Sequence, residues 1–224
     1  MSRRERARLQ TLGEIKEHAL AQVAEGGVQA LSLNGIAKAM GMSGPAIYRY
    51  FGSRDELLAA LVTDGYGEVA RTVRQAVEAA ARRAPARRLE AVGEAYRDWA
   101  RANPYRYELL FSIRPPTYSD PSEAIAAIHP GMVAILEILG EIAGPPGAPP
   151  AGDKLRGQLL RWAKRRDVGE PRNVLVLKLG VLTWTRVHGI VSLELAGILA
   201  DMGLDADLLI KAELHDVAAT ATNP

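Results

Sequence analysis

The chain of 224 residues contains no cysteine. That excludes disulfides, thiol catalysis and cysteine-ligated metal sites. It also lacks a large excess of charge, with 28 Lys and Arg against 26 Asp and Glu for a net +2. Overall basicity therefore says little about partners. Residues 1–8 have no apolar core of the length a signal peptide needs. The most apolar stretch, Asn173 to Leu199, is interrupted by Lys178, Arg186 and Glu194, which argues against a membrane span. The histidines are His18, His129, His188 and His215, and none has partners at a spacing that makes a convincing metal site. No nucleophile elbow, phosphate-cradling glycine loop or dinucleotide fingerprint occurs. The residues thus support no enzyme reading. No cofactor, metal or membrane partner is expected, and the chain is expected in the cytoplasm.

The hydrophobic share, 48%, suffices for one or two domains with a sizeable core. Charge is unevenly spread. Residues 1–54 carry eight basic side chains against four acidic ones, leaving the remainder slightly acidic. A basic amino-terminal part is what a phosphate-binding module joined to a different kind of module shows. Met1 to Arg8 reads as a disordered basic tail, or as an arm reaching phosphate or the minor groove. Leu9 to Glu25 has one apolar stripe, Leu12, Ile15, Ala19, Leu20 and Val23, ended by Gly26-Gly27. That spacing predicts a helix.

The stretch Leu31 to Phe51 organises this part of the chain. Ser32 is a candidate N-cap, because its hydroxyl can accept from a free amide at a helix start. Gly41 sits where that helix must stop in the left-handed conformation. Ser43 is placed to cap a second helix, with Pro45 in its first turn. Ile47 and Phe51, four apart, anchor that helix to the core. Gly44, Ala46, Tyr48, Arg49 and Tyr50 are left facing outward. A short exposed helix with a small-residue start and an aromatic–basic end suits a major groove flanked by phosphates.

The run Ile47-Tyr-Arg-Tyr-Phe-Gly-Ser-Arg-Asp-Glu-Leu-Leu58, with the helix end Ala19-Leu-Ala-Gln-Val-Ala-Glu-Gly-Gly27, resembles the DNA-binding domain of tetracycline-repressor-type (TetR family) regulators. The resemblance implies that Ser32, Leu33 and Asn34 meet bases or phosphates at the start of the supporting helix. It places Ser43, Gly44, Pro45 and Ala46 at the groove-facing start of the recognition helix. It matches Tyr48, Tyr50 and Arg54 to phosphate-contacting positions. Gly44 departs from the larger polar residue often found there, which shifts base reading towards Asn34 and Arg49.

Ser53-Arg-Asp-Glu56 is a capping-box pattern opening a long helix with Leu57, Leu58, Leu61 and Val62 inward. Gly65 and Gly67 inside it cost about 1 kcal/mol each relative to alanine. Close packing against a neighbouring helix is the favoured reason, and a soft domain junction the other. From Pro85 on the pattern stays helical. Arg87–Asn103 carries Leu89, Val92, Ala95, Tyr96 and Trp99 on one face, and a short helix follows from Pro104 to Ile113. Arg114-Pro-Pro116 breaks the chain. A helix from Asp120 has the stripe Ile125, Ile128, Met132, Ile135, Leu136 and Leu139, with a kink expected at His129-Pro-Gly131. Gly144 to Gly152 is a Pro/Gly loop. Asp153–Arg166 is amphipathic and basic, with Leu155, Leu159 and Trp162 inward. Asn173 to Leu199 reads as one long helix. The last helix, capped by Asp205, has Leu208, Leu209, Ala212 and Val217 inward.

Trp184-Thr-Arg-Val-His-Gly189 resembles the Trp-x-x-x-His-Gly signature of one carboxy-terminal domain type in the same family. The aromatic residues of this half either fill the core or line an apolar pocket. The pocket reading takes Tyr96, Trp99, Tyr107, Phe111, Met132, Leu136, Trp162, Trp184 and His188 as its lining. The resemblance implies an all-α chain with two domains. Residues 9–56 form a three-helix DNA-binding domain with a helix-turn-helix. Residues 57–224 form a larger helical ligand-binding and dimerisation domain. The expected activity is that of a transcriptional regulator, a repressor binding a palindromic double-stranded DNA operator as a homodimer. A small apolar or aromatic effector would release it. Gly189, Ser192 and Ala196 would allow close approach of a second copy. The rival is a ligand- or partner-binding helical protein whose helix-turn-helix is vestigial.

Overall fold

A computed structural model describes residues 1–111, 120–145, 154–168 and 173–222. Among the described residues every regular element is helical. The order is α1 (Arg3–Gly26), a 3-10 turn (Val28–Ala30), α2 (Leu33–Ala39), α3 (Gly44–Ile47), α4 (Arg54–Ala79), α5 (Pro85–Ala102), α6 (Pro104–Phe111), α7 (Ser122–Ala143), α8 (Lys154–Arg165), α9 (Val174–Leu195), α10 (Ile198–Asp201) and α11 (Ala206–Thr222). Contacts divide the chain into two units. One comprises Met1–Gly67 and Asn103–Ala127, the other Glu68–Ala102 and Ile128–Pro224. This division is not the linear one at residue 56. The first half of α4 and all of α6 belong with the amino-terminal helices, because the core there needs them.

In the first unit α1 starts at Arg3, six residues before the expected position. Ser2 and Glu5 form a capping box. The Glu5 amide donates to Ser2 Oγ at 3.1 Å, and the Ser2 amide donates to the Glu5 carboxylate at 2.6 Å. Residues 1–10 are all exposed, so the cap rather than burial holds this start. Ile15, Ala19 and Val23 are buried. Ser32 Oγ accepts from the Gly35 amide at 3.2 Å, as a cap should, and Gly41 has φ +66°. The Met42 amide then donates back to Ala37 O at 2.8 Å, closing the stop of α2. Ile36, Ala37, Ile47 and Phe51 are buried together with Leu57 and Leu61. Ser53 Oγ accepts from the Glu56 amide at 3.1 Å, while the Glu56 carboxylate accepts from Gly52 at 2.7 Å. A Cβ on Gly65 would meet Leu110 of α6 at 3.1 Å, so close packing explains that glycine.

In the second unit α5, α9 and α11 pack on one another. A Cβ on Gly93 of α5 would lie 2.7 Å from Leu214 and 3.0 Å from Ile210, both on α11. One on Gly180 of α9 would lie 2.5 Å from Leu136 of α7. Arg97 of α5 makes a two-pronged ion pair with Glu194 of α9, at 2.8 and 2.5 Å, with both side chains largely buried. The hydrogen bonds to Glu194 outweigh desolvation and raise the Arg97 pKa. By length and composition α7 and α9 could each cross a membrane. Part of their apolar surface is spent on neighbours, through Leu136, Ile138 and Leu139 on α7 and Val176, Leu177, Leu179, Val187 and Val191 on α9.

Several expectations are corrected here. Asn173 to Leu199 is not one helix. α9 ends at Leu195, Gly197 takes φ +77°, and α10 follows. Leu155 is 43% exposed, and Leu208, on the solvent side of α11, is 65% exposed beside exposed Ala212. The apolar stripe of α11 is Ala206, Ile210, Leu214, Val217 and Ala221 instead. The break at Arg114-Pro-Pro116 and most of the Pro/Gly loop lie outside the described residues.

The tight crossing of α5 and α11 makes a measurable prediction. Gly93→Val drives a branched side chain into Leu214 and Ile210 and should destabilise the chain by about 1–3 kcal/mol. Gly140→Ala on α7, where nothing among the described residues lies within 4 Å of the added methyl, should stabilise it by up to about 1 kcal/mol. Urea unfolding of both variants checks the pair.

Candidate nucleic-acid interface

The surface around α2 and α3 is built on a buried base. Ile36 and Ala37 on α2, with Ile47 and Phe51 after the turn, point inward. The opposite faces are thereby fixed outward. Asn34 is exposed, and its Oδ1 lies 4.0 Å from where a Cβ on Gly44 would be. The missing side chain at Gly44 leaves Asn34 uncovered. Ser43 stands at the N-cap position of α3, but its hydroxyl makes no cap bond and remains free to donate outward. Pro45 is exposed and Ala46 half-buried. Tyr48 is 47% exposed, and Arg49 is exposed with no ion pair among the described residues.

Three of the expected contact residues are otherwise employed. Leu33 is 5% exposed and packs inside, because the cap at Ser32 turns the next position of α2 inward. It cannot offer a side chain to a base. The Ser32 hydroxyl is occupied by the Gly35 amide, and the Ser32 amide by Gln22 at 2.8 Å. Arg54, at a position matched to a phosphate contact, turns inward. Its Nε donates to Leu31 O at 3.1 Å and its Nη2 to Val28 O at 2.5 Å. It staples the 3-10 turn before α2 to the first turn of α4. The remaining Nη1 lies 3.7 Å from Asp55.

Arg8 is an addition to the expected site residues. Its guanidinium lies 5.3 Å from the centre of the half-buried Tyr50 ring, a cation–π contact linking α1 to the end of the α3 region. The sequence signal is the basic run Arg3, Arg4, Arg6 and Arg8, whose helical state follows from Ser2 and Glu5. The one acid in that run, Glu5, is held by the cap. The cations there face solvent uncompensated. The arrangement is a positive, exposed surface with a tyrosine, an arginine and an amide at its centre.

The expected effector residues fall into separate groups. Tyr96 on α5 is the hub of one. Its hydroxyl lies 3.1 Å from His188 Nδ1, and its ring lies 5.4 Å from Trp184 and 6.3 Å from Trp99. Trp184 stacks on His188 at 5.2 Å and 17°. Tyr96 and Trp99 are buried, whereas Trp184 is 37% exposed. Burial lowers the His188 pKa below its ordinary value of 6.5. Leu136 is buried against Gly180, with Met132 half-buried one turn before it. Tyr107 and Phe111 belong to the other unit, where Phe111 packs on Tyr107 at 5.0 Å and on Tyr66 at 6.0 Å. Trp162 sits on α8 beside an open depression. Among the described residues no group of three or more His, Asp or Glu is placed to hold a metal ion.

Both halves of the chain are similar to known proteins. Residues 15–61 match the family described as bacterial regulatory proteins, tetR family, and residues 89–217 match the tetracyclin repressor-like C-terminal domain. The chain is 32% identical to the HTH-type transcriptional regulator Rv1816 of Mycobacterium tuberculosis, over 98% of this chain and 95% of that protein. The crystal structure of SCO4313 is similar, at 39% identity and a TM-score of 0.78, covering 96% of this chain and 98% of that one. The TetR family transcriptional regulator PfmR from Thermus thermophilus shares the fold, at 18% identity and a TM-score of 0.55, covering 92% of this chain and 97% of that one.

The side chains just described differ in what their loss should cost. Arg54→Ala removes a charged donor from two carbonyls and should cost about 1–3 kcal/mol of stability. Arg49→Ala, exposed and unpaired, should stay within about 0.5 kcal/mol; thermal unfolding separates the two. For His188, the folded pKa lies below the unfolded one, so the unfolded state takes up its proton first. Stability should therefore be undiminished above pH 6.5 and fall as pH drops from there through the folded pKa. His188→Gln should flatten that part of the stability–pH curve measured by urea unfolding.

Proposed function

The chain belongs to the TetR family of transcriptional regulators, and from that membership we propose that it is an effector-responsive repressor, acting in the cytoplasm as a homodimer on a near-palindromic operator. The observation that carries this reading is the exposed face of the helix-turn-helix. Asn34, Ser43, Gly44, Pro45 and Ala46 face the groove, while Tyr48, Arg49 and Tyr50 meet the flanking phosphates. Arg54 supports this face from behind. Residues 9–56 carry operator binding, and residues 57–224 carry effector binding and dimerisation. An intact cationic face with unpaired Arg49 argues against the vestigial helix-turn-helix, for which these charges have no use.

The outward sides of α9 and its C-cap serve the second copy. Ser192 and Ala196 are exposed, and nothing among the described residues lies within 4 Å of a Cβ added to Gly189. No packing among them asks for a glycine there, whereas the close approach of a partner helix does. The cluster Tyr96, Trp99, Trp184 and His188 supplies an aromatic wall with one neutral polar group, suited to an aromatic effector. Trp-x-x-x-His-Gly is then a signature whose tryptophan and histidine share one stacked face. An effector that prefers one arrangement of the two operator-binding domains weakens DNA by the same factor by which DNA weakens it.

Arg49→Ala should weaken binding to all DNA sequences and reduce the salt slope by about 1. Asn34→Ala should alter preference among operator variants more than total affinity. Gly189→Leu should leave the fold intact yet shift the dimer towards monomer in sedimentation. Fluorescence-anisotropy titration in increasing salt tests the first two. An Arg49→Ala protein with wild-type affinity and salt slope would remove the phosphate role given to this residue.

A further inference from the structure

Helix α8 and the residue after it, Lys154 to Arg166, carry six basic residues and no acidic one. None of the six makes an ion pair among the described residues. Elsewhere in the same unit Arg74, Arg87, Arg88, Arg97, Arg101, Arg186 and Lys211 each face a carboxylate, while Arg71, Arg82, Arg83 and Lys178, scattered rather than gathered on one helix, do not among the described residues. The helix dipole accounts for part of the pattern, since Lys164 and Arg165 lie in the last turn, where cations are favoured. It works against Lys154 and Arg156, which crowd the first turn. Arg161 stands one turn from both Lys164 and Arg165, a repulsive spacing on a helix. The Nε of Arg156 is buried with no partner. Such a helix is short of negative charge.

An open depression of about 360 Å³ lies against it, and the described part of its lining is Gln158, Leu159, Arg161, Trp162 and Arg165. Leu159 is buried and Trp162 half-buried, which gives an apolar side. Arg161 and Arg165 are exposed forks four residues apart, and Gln158 adds an amide. Gly157 leaves room beside Arg161, whose Nη1 is 3.4 Å from where a Cβ at that position would sit. Arginine forks match the planar geometry of carboxylates and phosphates and also stack on rings. We propose that this depression binds a small organic anion, with an aromatic or short acyl body against Leu159 and Trp162 and a carboxylate or phosphate between Arg161 and Arg165. A lipid surface is the weaker candidate, because Leu159 is already buried and α8 packs on α9. The apolar face that interfacial binding needs is therefore used within the chain.

This depression is a second candidate place for an effector, apart from the cluster around Tyr96, and the inference relies on the effector reading only for the consequence at the operator. Binding is therefore measured first without DNA, by calorimetry on the full chain. The probes are 2-naphthyl phosphate, 2-naphthoate, neutral 2-naphthamide, inorganic phosphate, and phosphatidylglycerol vesicles. One molecule of a naphthyl anion should bind per chain. The amide and inorganic phosphate should bind at least about ten-fold more weakly, since the site needs both body and charge. The R161Q/R165Q double variant should lose about ten-fold or more towards both naphthyl anions while keeping wild-type unfolding. The Trp162→Leu variant should weaken the naphthyl anions but leave inorganic phosphate unchanged. Equal affinity for amide and anion, an unaltered double variant, or binding of vesicles alone would each overturn the proposal. A ranking of phosphate over carboxylate, or the reverse, identifies which headgroup the forks select. Anion binding that leaves operator affinity unchanged upholds this site and refutes its role as the effector site.

Discussion

A helix of four residues cannot hold itself together, since nucleation costs more than one turn returns. α3, from Gly44 to Ile47, exists because Ile47 and the nearby Phe51 are buried on Ile36 and Ala37 of α2. The sharp turn at Gly41 brings the two helices to that crossing. The exposed face of the helix-turn-helix depends on this buried contact. It holds Asn34, Gly44 and Arg49 outward at fixed spacing without any of them spending its own side chain on the fold. The supporting bonds come from residues at the rim. Gln22 holds the Ser32 amide, Ser32 holds Gly35, and Arg54 holds the carbonyls of Val28 and Leu31.

The other unit follows a different logic. Its helices meet through glycine at close crossings, Gly93 on α11 and Gly180 on α7, and through one largely buried ion pair between Arg97 and Glu194. Removing one partner of such a pair strands the other charge, so the pair fixes which faces of α5 and α9 meet more than it adds net stability. Tyr96, one residue before Arg97, then delivers its hydroxyl to His188. The stacking of Trp184 on that imidazole leaves an aromatic face that is only partly covered. It is positioned by helices rather than by loops.

Local chemistry was legible in the sequence and long-range side-chain partners were not. Gly41, Ser32 and Ser53 announced their turns and caps because the rule for each involves residues no more than four apart. The Ser2–Glu5 box was equally local, and the basic composition of the run masked it, so α1 begins where a tail was expected. For Arg54 the inward bonds could not be read. Its acceptors lie 23 and 26 residues away, and an arginine at that place in the motif looks the same whether it faces phosphate or carbonyl. Leu208 was misplaced by periodicity, since a helix as apolar as α11 has two stripes that satisfy the same spacing. The aromatic residues were identified as a set, but only three-dimensional packing separates Tyr107 and Phe111 from the cluster around Tyr96.

The central claim is that this helix-turn-helix reads duplex DNA as a pair. Hydroxyl-radical footprinting of the wild-type protein on the DNA upstream of its own gene tests it most directly. The account predicts two symmetric protected patches whose centres lie about one helical turn, or a whole multiple of it, apart, and that fade together as salt rises. A single patch, protection indifferent to salt, or no protection at concentrations where the protein is dimeric would contradict it.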